Sequence, residues 1–130
     1  MPGRYHAVVW IDHRQARVFH FSAEDADKIV VHAEHPVREF KRGEKRTGHR
    51  LAEDQHFLEE VTSAVADAEA ILVVGPSSEK HELVKHIARV HPGMMVKVEG
   101  VESADHPSDS ELVAHARRFV KAADRMRPQL

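Results

Sequence analysis

The feature that most constrains the fold is a continuous apolar run, AILVV, at residues 70–74. A strand formed by this run has no polar alternation, so both of its faces must be covered. Strands of this kind belong to parallel sheets that carry packed helices. The run therefore predicts an α/β domain in which it forms the central, most buried strand, parallel to the first strand and flanked by the first and the fifth.

Three further strands are predicted before this run, at residues 5–12, 16–22 and 28–35. The second strand alternates two sets of side chains, Arg17, Phe19 and Phe21 against Ala16, Val18 and His20. This period of two is typical of a half-buried strand. Because the connecting turns are short, the three strands are expected to form an antiparallel meander.

Helical periodicity dominates the second half of the chain, where apolar residues recur every three or four positions. Ser77 or Ser78 is the predicted N-cap of the second helix, and Ser108 with Glu111 has the form of a capping box for the third. HPG at residues 91–93 ends the second helix, and residues 94–101 form the fifth strand. The residues predicted to face inward are, on the first helix, Phe57, Leu58, Val61, Val65 and Ala68; on the second, Leu83, Val84, Ile87 and Val90; and on the third, Leu112, Val113, Ala116, Phe119, Val120 and Ala123.

The resulting order of elements is β-β-β-α-β-α-β-α. Right-handed β-α-β crossovers added to an antiparallel meander predict a five-stranded mixed sheet with helices on its faces, which is the ribonuclease-H-like architecture. No linker or repeat interrupts the pattern, so residues 1–130 are expected to form one domain with a basic loop at 36–51 and a C-terminal tail at 125–130.

The cysteine content and the lengths of the apolar stretches indicate the cellular compartment. The chain has no cysteine, which excludes disulfides and thiolate metal sites and favours a reducing compartment. No stretch has the length of a signal peptide's apolar core or of a membrane span. The expectation is a soluble, cytoplasmic protein with no membrane partner; the sequence leaves its oligomeric state open.

The segment KRGEKRTGHR at residues 41–50 contains no apolar side chain. It carries a net charge of +4 in a chain of net charge −2, so the other residues together carry −6. Cations on a glycine-relieved backbone can contact phosphates closely, while the lack of aromatic residues between Phe40 and Phe57 disfavours base stacking. A solvated loop is the alternative interpretation. The predicted RNA-binding residues are Lys41, Arg42, Lys45, Arg46, His49 and Arg50, and a second basic group lies at Arg117, Arg118, Lys121, Arg125 and Arg127.

Catalytic and metal sites are not expected. A two-metal nuclease needs converging carboxylates, but Asp12 is better explained as a turn residue that binds the following amides. The acids of the first helix, which are Glu53, Asp54 and Glu59, are interpreted as complementing the helix dipole. Ser77 and Ser78 lack the Gly-x-Ser-x-Gly context of a nucleophile.

The histidines give no metal spacing either. His32 and His35 are three apart in a predicted strand, and His81 and His86 are five apart on a helix, so neither pair is aligned for one ion. No metal, cofactor or catalytic residue is therefore assigned.

Residues 70–119 resemble the second half of the middle domain of archaeal and eukaryotic peptide-chain release factors and of Pelota, and AVVWIDHRQARVFHF resembles its first strands. Over nearly the full length, the chain is similar to a group of small single-domain bacterial proteins called translational machinery proteins. The blocks that carry this likeness are HAVVWIDHRQARVFHF, GPSSEKHELVKHI, VEGVESADHPSD and KAADRMRP.

The resemblance implies that the chain binds the ribosome or RNA, and it allows a comparison with the hydrolytic motif of release factors. In release factors the loop between the third strand and the first helix carries Gly-Gly-Gln, which promotes peptidyl-tRNA hydrolysis. Here Gly43 and Gly48 are separated, and the nearest glutamine, Gln55, lies in the predicted helix. Pelota-type domains also lack the motif and keep a basic loop, so the resemblance implies a non-catalytic binder of the ribosome, tRNA or rRNA. Two alternatives stay open: a peptidyl-tRNA esterase acting through His49, and an adaptor for an acidic protein surface.

Overall fold

The computed structural model describes residues 6–33 and 48–126, with side chains described at 6–33 and 54–123. Within these ranges the elements follow the predicted order. The strands are β1 (His6–Ile11), β2 (Gln15–Phe21), β3 (Ala26–His32), β4 (Ala70–Gly75) and β5 (Val98–Ser103). The helices are α1 (Gly48–Val65), α2 (Glu79–Val90) and α3 (Asp109–Met126), with a 3-10 helix at Pro92–Lys97.

The strands form a single mixed sheet in the order β3-β2-β1-β4-β5. β1 pairs antiparallel with β2, and β2 with β3, which confirms the meander; β4 runs parallel to both β1 and β5. The ribonuclease-H-like α/β architecture is thus confirmed. β4 is buried along its whole length, as predicted, but the middle strand of the sheet is β1. Burial alone could not place β4, because a run covered on both faces can also lie one strand from the edge.

Two separate cores cover the two faces of the sheet. On one face, α1 and α2 pack over Val9, Val18 and Val73. On the other, α3 packs over Trp10, Phe19 and other aromatic and aliphatic side chains. β2 contributes buried residues to both cores, so the prediction of a half-buried strand is wrong. The side chains of β2 do alternate between the two faces of the sheet, but helices cover both faces.

The predicted helix faces are confirmed except at Val90 and at Ala123, which is half-buried and belongs to neither core. Val90 is 40% exposed, whereas His86 is buried at 5%. The predicted fifth strand also begins too early, because residues 94–97 belong to the 3-10 helix and β5 starts at Val98. Pro92 stands at the start of that 3-10 helix, where its fixed φ is compatible with a helical turn.

The two serine caps differ. At α3 the capping box is confirmed: the Glu111 amide donates to Ser108 Oγ at 3.2 Å, and the Ser108 amide donates to Glu111 Oε1 at 2.9 Å. At α2, Ser78 occupies the N-cap position with helical φ and ψ of −73° and −13° and makes no side-chain cap hydrogen bond. The predicted capping by Ser77 or Ser78 is therefore wrong in its hydrogen bond, because a helical N-cap backbone turns the hydroxyl away from the free amides.

Gly75 lets β4 and β1 approach each other at their carboxyl ends. A Cβ atom at this position would lie 2.3 Å from the backbone oxygen of Ile11, well inside contact distance. The close pairing of the two parallel strands at this end thus requires glycine. None of the described helices is long and apolar enough to cross a membrane.

Candidate functional site

The predicted RNA-binding segment falls largely outside the described residues. This applies to Lys41, Arg42, Lys45 and Arg46, and to the whole of 34–47. His49 and Arg50 lie in the first turn of α1, which begins at Gly48, but their side chains are likewise outside the described set. RNA binding by these six residues stays a prediction.

The residues of the second basic group differ in their surroundings. The Arg117 guanidinium donates to the backbone oxygens of Ser22, at 2.9 Å, and Asp25, at 3.1 Å. It therefore ties α3 to the turn between β2 and β3. Arg118 and Lys121 are exposed on α3. The side chains of Arg125 and Arg127 lie outside the described residues.

The carboxyl ends of β1 and β4 form the edge where α/β sheets usually bind ligands. The interpretation of Asp12 as a turn residue is confirmed, since its Oδ1 accepts from the amides of Arg14, at 2.8 Å, and Gln15, at 2.9 Å. After β4, the buried Glu79 at the start of α2 lies with its Oε1 3.2 Å from His13 Nδ1. Glu79 thus faces an imidazole at this edge.

A second polar cluster lies between α1 and α2. One oxygen of Glu59, Oε1, is 2.8 Å from His86 Nε2 and 2.8 Å from His91 Nε2. The other oxygen, Oε2, is 2.9 Å from His91 Nε2. The three side chains each place one ligand-type atom within 4.8 Å of the other two, and no other such group of three occurs among the described residues. We call these residues the Glu59 cluster.

The local fold explains how residues distant in sequence meet. Glu59 is the twelfth residue of α1, and no acid lies in the first turn of this helix. The interpretation of Glu53, Asp54 and Glu59 as acids that complement the helix dipole is therefore wrong. His81 is exposed while His86 is buried, which confirms that this pair does not share a face. The partner of His86 is His91, which stands just after α2 with φ −131° and ψ 61°. This break from helical geometry brings a side chain five residues away back toward His86, an effect that ideal helix spacing cannot predict.

The surroundings of His86 orient its ring. His86 Nδ1 lies 2.8 Å from Gln55 Oε1, and the Arg89 guanidinium donates a short hydrogen bond to the same oxygen. Because that oxygen accepts from Arg89, it also faces His86 as an acceptor, and Nδ1 carries a proton. Hydrogen bonds from His86, and then from His91, lower the pKa of Glu59 below its ordinary value. Two imidazoles and a carboxylate are also donors that can hold a divalent metal.

The architecture is similar to that of several solved proteins. Pelota from Archaeoglobus fulgidus matches with a TM-score of 0.63 and 14% identity over 91% of this chain and 32% of that protein. Dom34 from S. cerevisiae, described as a translation termination-like factor involved in RNA quality control and interacting with Hbs1, matches with a TM-score of 0.55, 11% identity and coverages of 87% and 32%. The archaeal translation termination factor aRF1 matches with a TM-score of 0.54, 12% identity and coverages of 94% and 39%.

These likenesses establish the fold. No protein-family model matches the sequence, and neither does any curated protein. The chain spans about a third of the length of the solved proteins that it resembles. Their shared architecture is that of one α/β domain, and a fold by itself does not carry a chemistry.

Proposed function

We propose that this chain is a non-catalytic, translation-associated domain that binds the phosphates of ribosomal or transfer RNA through its basic segment. The observation that carries the proposal is the fold likeness to Pelota, Dom34 and aRF1, each over 87–94% of this chain. Dom34 and aRF1 are described as a termination-like factor and a termination factor of translation. A domain of the same architecture, whose basic segment follows β3 in the sequence and includes the first residues of α1, is suited to the same setting.

The charge distribution supports phosphate contact. Residues 41–50 hold five Lys or Arg side chains in a chain that is otherwise acidic. Each phosphate neutralised by such a side chain releases condensed counterions, which gives affinity without reading bases. The proposed contacts are made by Lys41, Arg42, Lys45, Arg46 and Arg50, with His49 as a minor contributor because a neutral imidazole adds little charge.

The experiment is sedimentation with ribosomes over a range of salt concentrations. We expect the wild type to sediment at low salt and to be released as salt rises. Replacing Lys41, Arg42 and Arg46 by Glu is expected to weaken binding by orders of magnitude. It should also reduce the log–log salt slope by roughly 0.7–0.9 for each phosphate that the variant no longer neutralises.

A matched variant separates the segment from the overall charge. Lys85, Arg118 and Lys121 are exposed on α2 and α3. Replacing these three by Glu makes the same change in net charge elsewhere and is expected to leave most of the binding intact. Equal weakening by both triple variants, or wild-type sedimentation of the first, would contradict the proposal.

A hydrolase would be recognised by a different result. The esterase alternative requires release of the acyl group from peptidyl-tRNA and loss of that release in His49→Ala. Our proposal expects no release by the wild type, and no change in sedimentation for His49→Ala.

A further inference from the structure

We propose that Glu59, His86 and His91 form a binding site for a divalent transition metal of the zinc type, with a fourth coordination position open to solvent. This site is separate from the basic segment and does not depend on RNA binding. The identity of the donor atoms, their spacing, the groups behind them and their exposure all support it.

The donor atoms converge on one point. Both histidines present the same ring nitrogen, Nε2, and both nitrogens lie 2.8 Å from a single oxygen of Glu59. Imidazole nitrogens together with one carboxylate are a common set of protein ligands for zinc in sites that keep an open position. Hard ions such as Mg²⁺ and Ca²⁺ prefer oxygen ligands, so this set selects against them.

The spacing needs little adjustment to hold an ion. With zinc–ligand bonds of about 2.0–2.2 Å, tetrahedral ligand atoms lie about 3.3 Å from one another. The ligand atoms of the Glu59 cluster all lie within 4.8 Å of one another, and two of their contacts are 2.8 Å. An ion would require the carboxylate to move about half an ångström from each nitrogen, and the two nitrogens, which lie within 4.8 Å of each other, to stand about 3.3 Å apart.

The groups behind His86 match those behind a metal ligand. Histidine ligands usually donate their second ring N–H to an oxygen, which fixes the ring and leaves the first nitrogen to the metal. His86 Nδ1 lies 2.8 Å from Gln55 Oε1, and Gln55 is itself held by Arg89. The orientation of His86 is therefore set by contacts that a bound metal would leave in place.

The two ends of the cluster differ in exposure. The side chain of His86 is 4% exposed, while those of His91 and Glu59 are 36% and 41% exposed. One ligand is thus anchored in the protein, and the other two border solvent. This gives an entry path for the ion and leaves a position for water or another ligand. A histidine binds a metal only through an unprotonated ring nitrogen, so metal binding requires Nε2 of both histidines to be free of a proton.

The first experiment is calorimetric titration of tag-free, chelator-treated protein with ZnCl2 at neutral pH, with elemental analysis of the dialysed complex. We expect one zinc per chain, and no binding of MgCl2 in the same range. Glu59→Ala combined with His91→Ala should weaken zinc binding by more than about 100-fold. Gln55→Ala should weaken it by roughly 10- to 100-fold, as loss of a group supporting a ligand does.

A matched control uses another histidine of α2. His81 is exposed and lies outside the cluster, so His81→Ala should bind zinc as the wild type does. Replacing zinc by Co²⁺ gives a second readout, because a four-coordinate Co²⁺ site absorbs visible light strongly and is expected only where the cluster is intact. Thermal unfolding of metal-free protein checks that each variant folds; should the double variant fail to fold, His91→Asn alone carries the test.

The proposal is overturned by any of three results. These are absence of zinc binding by the wild type, equal affinity in the wild type and the folded cluster variants, and loss of binding in His81→Ala. In each case the Glu59 cluster would be a tether between α1 and α2 only.

Discussion

Two carboxylates on opposite faces of the sheet are each held by two nitrogen-bearing side chains. On the α3 face, Asp109 is 2.6 Å from Lys28 Nζ and 2.7 Å from a guanidinium nitrogen of Arg17. On the α1 and α2 face, Glu59 is held by His86 and His91. The hydrogen bonds lower the pKa of both carboxyl groups, that from Lys28 contributing most at Asp109.

The difference between the two sites lies in the partners. Arg and Lys are permanently charged donors without a lone pair for a metal, so the Asp109 site can only join elements together. Imidazole nitrogens exchange a proton for a metal ion, so the Glu59 cluster can do more than join α1 to α2. The same arrangement of one acid between two bases is thus a fixed contact on one face and a candidate binding site on the other.

The Asp109 site is also more deeply integrated into the fold. Arg17 donates to the backbone oxygen of Pro107 at 2.9 Å, and its guanidinium carbon lies 4.7 Å from the centre of the Trp10 ring. Trp10 in turn donates to the backbone oxygen of Asp105 at 2.8 Å. These contacts tie the loop before α3 to β1 and β2, whereas the hydrogen bonds of the Glu59 cluster join one helix to another.

The largest expected effect comes from a substitution in the core beneath α1 and α2, the two helices that carry Glu59 and His86. Val73 is fully buried beneath α1 and α2, so Val73→Asp would place an unpaired charge there. Burying an isolated carboxylate is expected to cost more than about 5 kcal/mol, which is comparable to the whole stability of a small domain. Differential scanning calorimetry should show no cooperative transition. A retained wild-type transition would mean that β4 is not a buried strand.

The next effect tests whether the Asp109 site is structural. Arg17→Met removes an ion pair, a hydrogen bond and a contact with Trp10 from a side chain that is only 13% exposed. We expect a loss of about 2 kcal/mol in urea unfolding. Lys28→Met is the matched control, since the exposed Lys28 pair should contribute less than about 1 kcal/mol. Both variants should keep zinc affinity; a loss of zinc binding in Arg17→Met would show that the two faces are not independent.

A smaller effect compares the two helix starts. Ser108→Ala removes the side-chain acceptor for the Glu111 amide and should cost about 1 kcal/mol. Ser78→Ala at α2 removes no cap hydrogen bond and should stay within about 0.5 kcal/mol of the wild type. Urea unfolding of the two variants measures both values. Equal losses would mean that Ser78 caps α2 in solution.

The smallest effect is the pH dependence of the Asp109 site. A carboxyl whose pKa is lowered by folding stabilises the protein above its unfolded pKa, here near 3.8, and this contribution is lost as the pH falls through the folded value. Wild type and Asp109→Asn should therefore differ by up to about 1 kcal/mol at pH 7 and converge in acid below pH 4. Unfolding curves collected from pH 7 to acid check this. A difference that persists in acid would assign the effect to packing.

Local pattern was sufficient for most of the architecture. The apolar run at 70–74, the antiparallel meander and the Ser108 capping box each depend on nearby residues, and each is observed. The errors at Ser78, with its helical dihedral angles, and at residues 94–97, which form a 3-10 helix, fell where the backbone departs from the regular element. Periodicity cannot report such departures, because it assumes the regular element.

The sequence by itself determined the order of elements, the α/β class and the concentration of positive charge at 41–50. Only the tertiary structure decided which polar residues share a site. Glu59 and His86 are separated by 27 residues, and Arg17 and Asp109 by 92. Local periodicity carries information over one or two turns, whereas these contacts depend on how α1 packs on α2 and how α3 crosses the sheet. His91 reaches Glu59 because α2 ends one residue before it.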